Sequence, residues 1–225
     1  MKTGQKLVYS VFVIALIYTF IASHAARVAA ADLAAGIAAS AEDIHPVKTG
    51  DMAPGFTVRT VDDEPFVFDP QHLDAPVVLI TFRGGWCPYC NMHLSELHTV
   101  VPELQQKGID VYFLSGDRPD QLYTSLKLET QEAIDGLGYK IFSDANIEAA
   151  RALGIAFRDD KTMNFLEQKG RDIEGSSMRN FGVLPVPAVY IIDKSGKVVF
   201  SFVEPNYKIR LPADDLRAAV DKVMD

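Results

Sequence analysis

The chain has 225 residues, 48% of them hydrophobic and 23% charged, with 15 Gly and 12 Pro; this balance excludes disordered, collagen-like and polytopic membrane chains and suits one domain of about 150–200 residues. Its 22 basic side chains face 30 acidic ones, and the net charge of -8 repels nucleic-acid phosphates and anionic lipid heads, so a nucleic-acid partner is not expected. Only two cysteines occur, Cys87 and Cys90, which excludes a disulfide-stapled scaffold and a four-cysteine zinc site.

In chain order, Lys2 and Lys6 precede an apolar run from Leu7 to Ala22 that ends in Ser23-His24-Ala25, the pattern of a secretory signal peptide. The run falls short of the ~20 residues that cross a bilayer as a helix, so residues 1–25 are expected to be cleaved rather than retained. The expected location is extracytoplasmic or periplasmic, with membrane contact only if residues 7–22 stay as an anchor. Residues 26–46 are rich in alanine and read as a low-complexity tail without large core-forming side chains. The folded domain is then expected over residues 47–225.

Gly50, Pro54, Gly55 and Pro65 break Val47 to Asp69 into an irregular lead-in and a hairpin. The unbroken apolar run Val77 to Phe82 predicts a central strand buried on both faces. Cys90, Leu94, Leu97, Val101 and Leu104 recur at spacings of four and three, which predicts a helix over Pro88–Gln106, stopped by Gly108. Ile109–Ser115 predicts the next strand, and strand–helix–strand implies a right-handed parallel crossover, hence α/β architecture. Further helices are expected over Asp120–Ile134, over Ala145–Leu153 behind a Ser143-Asp144 cap, and over Ala213–Val223. Ala188–Asp193 and Lys197–Val203 should pair as an antiparallel hairpin through Lys194-Ser195-Gly196. The polar stretch from Arg158 to Gly182 reads as a surface excursion or, less simply, a lid.

The chemistry concentrates in Arg83-Gly84-Gly85-Trp86-Cys87-Pro88-Tyr89-Cys90, at the junction of the buried strand and a helix start. Unpaired amides and the positive helix end favour a thiolate at Cys87, and Arg83 can add to this. Pro88 suits the first helical turn, where its missing N–H costs nothing. Cys90, one turn on, is placed to form a disulfide with Cys87; a purely structural disulfide is the plain alternative. His93 and His98 crowd one helix without a loop to close a metal tetrahedron, so they are expected to be solvated rather than zinc ligands. No metal site and no cofactor beyond a redox-active Cys87–Cys90 disulfide are expected.

Gly50-Asp51-Met52-Ala53-Pro54-Gly55-Phe56, Trp86-Cys87-Pro88-Tyr89-Cys90, Ser143-Asp144 and Pro187-Ala188-Val189-Tyr190-Ile191-Ile192-Asp193 resemble the alkyl hydroperoxide reductase and thiol-specific antioxidant family. The resemblance runs roughly from Val47 to Tyr207. It implies a thioredoxin-like fold, a central mixed sheet flanked by helices. It also implies that Pro187 is a cis proline facing the cysteines and exposes the Val186 backbone for strand-like substrate pairing. In that family a peroxide-binding cysteine falls at Cys90, with a proline and a threonine where this chain has Arg83 and Cys87, and an arginine where it has Pro187. The buried carboxylate of thioredoxins is replaced by Thr81.

The replacements Cys87 and Pro187 are those of a disulfide exchanger, so thiol–disulfide exchange is expected over peroxidase activity, with Cys87 attacking and Cys90 resolving. Arg83, Trp86, Tyr89, Val186 and Pro187 are the expected substrate-binding residues. Expected partners are a protein or small-molecule disulfide and a redox partner, with peroxide as the alternative substrate. A copper chaperone is the third reading, weakened because no histidine follows His98.

Overall fold

The structure is a computed structural model that describes residues 36–224; the signal-like residues 1–25, with the anchor alternative at 7–22, lie outside the described residues. Strand β3 (Val77–Phe82) is buried along its whole length. Its alternation divides the interior: Val77 and Leu79 enter one core, Val78, Ile80 and Phe82 the other. Burying each of these side chains contributes about 1.5–3 kcal/mol, and so anchors the strand at the centre.

On one side β3 pairs in parallel with β4 (Asp110–Ser115), which pairs in parallel with β5 (Lys140–Ser143). On the other side it pairs antiparallel with β8 (Ala188–Ile192), followed by β9 (Val198–Val203). The hairpin β1 (Phe56–Arg59) and β2 (Pro65–Phe68) completes a seven-stranded sheet in the order β2-β1-β5-β4-β3-β8-β9. The expected mixed sheet and both hairpins are present.

Several expected helices are shorter, each for a local reason. Pro88–Gln106 is two helices, α1 (Pro88–Glu96) and α2 (Val100–Gln106). Pro102 lacks the N–H a continuous helix needs, and its ring would collide with the His98 carbonyl. The apolar stripe nevertheless carries across the break, with Cys90, Leu94, Leu97, Val101 and Leu104 all buried in the core that Val78, Ile80 and Phe82 of β3 enter. Asp120–Ile134 reduces to a short 3-10 turn and α3 (Leu128–Ile134). Here Lys127 is extended and donates its N–H to Asn91 Oδ1 at 2.8 Å, which starts the helix late. Behind the Ser143-Asp144 pair, α4 covers only Glu148–Ala152.

The stretch Arg158–Gly182 is no plain excursion. It connects the two strands of a small second sheet, β6 (Ala156–Arg158) and β7 (Val183–Pro185), and holds helices α5 (Asp160–Gln168) and α6 (Ser177–Phe181). Leu166, Ile173 and Met178 from it are buried in the core. The described part of the alanine-rich segment also departs from a tail: Ala38 exchanges hydrogen bonds with Ala156 and Arg158, and Ile37, Ala41 and Ile44 pack on the core. Small side chains suit it because they let its backbone lie close against β6. Helix α7 (Ala213–Met224) ends the described chain.

Asp144 is buried and accepts hydrogen bonds from the Ala149 and Ala150 N–H groups at 2.9 and 2.8 Å. Burial nevertheless pushes its carboxyl up to about 7. An acid whose folded pKa exceeds its unfolded value of about 3.9 contributes stability at low pH that is lost as pH rises through the folded value. The stability difference between wild type and Asp144→Asn, measured by urea unfolding, should therefore shift against the wild type between pH 4 and pH 8. A difference independent of pH would exclude this assignment.

Candidate redox site

The turn from β3 into α1 leaves no space for side chains. A Cβ on Gly84 would lie 2.4 Å from Trp86 Nε1, and one on Gly85 would lie 2.0 Å from Ser125 Oγ, with Gly84 at φ +152°. Buried Asp117, following β4, accepts the Gly85 N–H at 2.7 Å and the Ser115 and Ser125 hydroxyls at 3.1 and 3.0 Å. Buried Asn91 donates to the carbonyls of Gly85 at 2.6 Å and Cys87 at 2.9 Å. The turn is thus bonded from both sides, and Cys87 takes the N-cap position of α1, with Pro88 following at its first turn.

Both cysteines are free thiols, and both are buried, at 1% and 0% relative exposure, so access does not order them. Their electrostatics do. Burial of Cys90 opposes ionisation, but a hydrogen bond from the Cys87 thiol, the Arg210 guanidinium and the Arg83 backbone N–H outweigh it and bring Cys90 down to about 6. Arg210 Nη2 lies 3.4 Å from Cys90 Sγ. The hydrogen bond to Cys90, followed by burial, drives Cys87 up. The cation therefore comes from the far end of the chain and sits on Cys90, whereas the sequence places the thiolate at Cys87.

Arg83 is buried, donates from Nη2 to Asp159 Oδ2 at 2.8 Å, and lies 4.7 Å from the Tyr207 ring centre and 5.8 Å from that of Trp86. Tyr89 is half-buried and meets Tyr207 edge-on at 5.7 Å. Among the described residues every peptide bond is trans, so Pro187 is not the cis proline that was expected. Nor is the Val186 backbone free: its N–H donates to the Ile155 carbonyl at 2.9 Å, and its carbonyl accepts the Thr81 hydroxyl at 3.0 Å. Thr81 also accepts the Ala188 N–H at 2.9 Å, bridging Pro187. Where thioredoxins have a carboxylate, this chain has a hydroxyl that consumes the backbone groups a strand-like substrate would use.

His93 differs from expectation too. Of this pair only His98 is exposed; His93 is buried, and its Nε2 donates to the Leu211 carbonyl at 3.1 Å. Burial and the Arg210 charge bring it down to about 4 and keep it neutral. This bond fixes the residue next to Arg210. The residues missed in the sequence, Arg210, Asp117 and Asn91, lie in loops or on one helix face and carry no local pattern. The one hint was the basic and aromatic run Tyr207-Lys208-Ile209-Arg210 after the last strand.

Residues 49–201 match the family model described as the AhpC/TSA family. Thiol-disulfide oxidoreductase ResA of Bacillus anthracis is 23% identical over 75% of this chain and 78% of its own length. 1-Cys peroxiredoxin B of Oryza sativa subsp. japonica is 26% identical over 75% and 70%. Among solved structures, a cysteine-to-serine mutant of the peroxiredoxin 6 of Arenicola marina superposes with TM-score 0.61 at 18% identity, covering 79% of this chain and 74% of that one. A peroxiredoxin-like protein from Aquifex aeolicus gives 0.56 at 20%, over 80% and 89%. The fold is peroxiredoxin-like within the thioredoxin superfamily.

Removing the Arg210 cation should raise the Cys90 pKa. Iodoacetamide alkylation of wild type is expected to level off above about pH 6, whereas Arg210→Met should react roughly tenfold more slowly near pH 6.5 and keep rising into the alkaline range. Superimposable pH profiles would show that Arg210 does not stabilise the thiolate.

Proposed function

The chain belongs to the AhpC/TSA family and is a thioredoxin-fold redox protein, and from that premise we propose that it is a thiol-disulfide oxidoreductase in which Cys90 attacks and Cys87 resolves. The observation that carries this reading is the Arg210 guanidinium on Cys90 Sγ, with the Cys87 thiol hydrogen-bonded to the same sulfur. The Cys90 thiolate attacks a substrate disulfide, forming a mixed disulfide and releasing one thiolate. Cys87 then gives up its proton and attacks Cys90, releasing the second thiol and closing the Cys87–Cys90 disulfide. Two electrons pass to the substrate, and a dithiol partner returns them. No metal or organic cofactor enters.

In this reading Trp86, Tyr89 and Pro187 meet the substrate, and Arg83, paired with Asp159, leaves the charge at the sulfurs to Arg210. Residues 1–25 support export in this reading, which places the pair in an oxidising compartment where a redox partner is needed to hold it reduced. Among the described residues no helix is long and apolar enough to cross a membrane.

The Arg210–Cys90 contact also favours a second reading, peroxide reduction. There the Cys90 thiolate takes one peroxide oxygen as a sulfenate, and Cys87 condenses with it to the same disulfide and water. Preorganised donors at the leaving oxygen are typically worth ~10² to 10³ each in rate, and the family's threonine is Cys87 here. Disulfide exchange does not need them.

In the presence of a disulfide substrate, Cys87→Ser should accumulate a mixed disulfide on Cys90, while Cys90→Ser should not, as read by intact-protein mass. Trapping only by Cys90→Ser would reverse the assignment. Fast hydrogen peroxide turnover by wild type alongside slow disulfide reduction would favour the peroxidase.

A further inference from the structure

Arg210 brings its charge to Cys90, yet its own contacts do not fix where that charge sits. Nη1 is spent on the Tyr207 and Ile209 carbonyls of the same segment, Nη2 lies 3.4 Å from Cys90 Sγ, and the buried Nε has no partner. With no carboxylate among these partners, the guanidinium is locked onto its own backbone and goes where that backbone goes. That backbone, residues 204–212, joins β9 to α7 without a helix or strand, and Asn206, Tyr207, Lys208 and Ile209 are exposed. The cation rides on a strap, so the ties between the strap and α1 set its distance from the sulfur.

Two hydrogen bonds from α1 make those ties: His93 Nε2 donates to the Leu211 carbonyl at 3.1 Å, and Glu96 Oε1 accepts the Ala213 N–H at 3.1 Å. The first bears most directly on the cation. Leu211 follows Arg210 in the chain, and His93 stands three residues after Cys90, on the same face of the helix. One helical turn therefore holds both the sulfur and the anchor of its counter-ion at a fixed spacing. His93 is 4% exposed, and burying an imidazole costs free energy that its hydrogen bond has to offset, whereas an apolar side chain would need no partner. What the histidine adds over an apolar residue is the directed bond to the strap. Burial and the Arg210 charge keep the ring neutral, so it donates that bond without placing a second cation beside the first.

We propose that His93 is a positioning residue of the redox reaction, holding Arg210 against Cys90 Sγ through the Leu211 carbonyl and acting on the thiolate only by way of that cation. The inference rests on the reading in which Cys90 attacks, and it extends the machinery to a residue whose hydrogen bond goes to the strap rather than to a sulfur.

In a Cys87→Ser background Cys90 is the one thiol left, and the serine hydroxyl keeps the donor that the Cys87 thiol gives it. The ultraviolet absorbance of the thiolate against pH then reports ionisation without any reagent having to reach the buried sulfur. Arg210→Met should raise the midpoint of that curve, leaving about tenfold less thiolate on its acid side, since an opposite charge within about 4–6 Å favours the ionised form by at least that factor. His93→Phe keeps a ring but offers no N–H, and should raise the midpoint part of the way, with about threefold less thiolate. His93→Leu should do the same where the larger ring fails to pack. His93→Gln, whose side-chain amide can donate to the same carbonyl, should return the midpoint to that of the background.

Adding His93→Phe to Arg210→Met should move the midpoint no further, because a residue that works through the cation has nothing to work on once the cation is gone. If Arg210→Met raises the midpoint while His93→Phe and His93→Leu leave it in place, the positioning role is overturned and the thiolate reading stands. A rise that His93→Gln does not reverse, or one as large without Arg210 as with it, overturns the positioning role too. A midpoint insensitive to Arg210→Met would refute the reading of Cys90 as the attacking thiolate, and the role of His93 with it.

Discussion

The turn between β3 and α1 must place two sulfurs at the edge of a close-packed interior while leaving none of its own backbone unpaired, and the buried side chains of Asp117 and Asn91 meet that constraint. Asp117 holds the Gly85 N–H from the β4 side, and Asn91 holds the Gly85 and Cys87 carbonyls from the helix side. Two glycines then follow necessarily, because any side chain would strike Ser125 or Trp86. The position of each sulfur depends on this clamp. Without it the Gly85 N–H and the Gly85 carbonyl would lose these partners inside the core, at a cost of about 1–3 kcal/mol each.

A second constraint is electrostatic. A thiolate at Cys90, 0% exposed, needs a nearby cation. Arg210 supplies it from a segment 120 residues away in the chain. That segment is pinned at Leu211 by His93 and at Ala213 by Glu96, both from α1. The helix that carries the sulfur therefore also carries the groups that place its counter-ion. Keeping His93 neutral matters here, since a second positive charge would compete with Arg210 for the same position.

Arg83 occupies a different niche from Arg210. It faces Asp159 and three aromatic rings, so its charge is compensated within the protein and does not fall on the sulfurs. Burying such a pair is not in itself a source of stability, because desolvation offsets most of the Coulomb gain.

The sequence by itself determined the α/β class, the central strand, both hairpins and the strand–turn–helix setting of the Cys-Pro-Tyr-Cys motif. These rest on local periodicity, on proline and glycine chemistry and on the length of apolar runs, all of which act within a few residues. It determined less well where helices stop: Pro102 and Asn91 break two of them through one missing N–H and one long-range hydrogen bond. Only the tertiary structure decided which cysteine has a guanidinium beside its sulfur, whether the Val186 backbone is free, and where Arg83 points. Each of these depends on a partner more than 70 residues distant, Arg210, Thr81 or Asp159, and no local pattern encodes a contact that the fold creates by bringing separate strands and loops to one place.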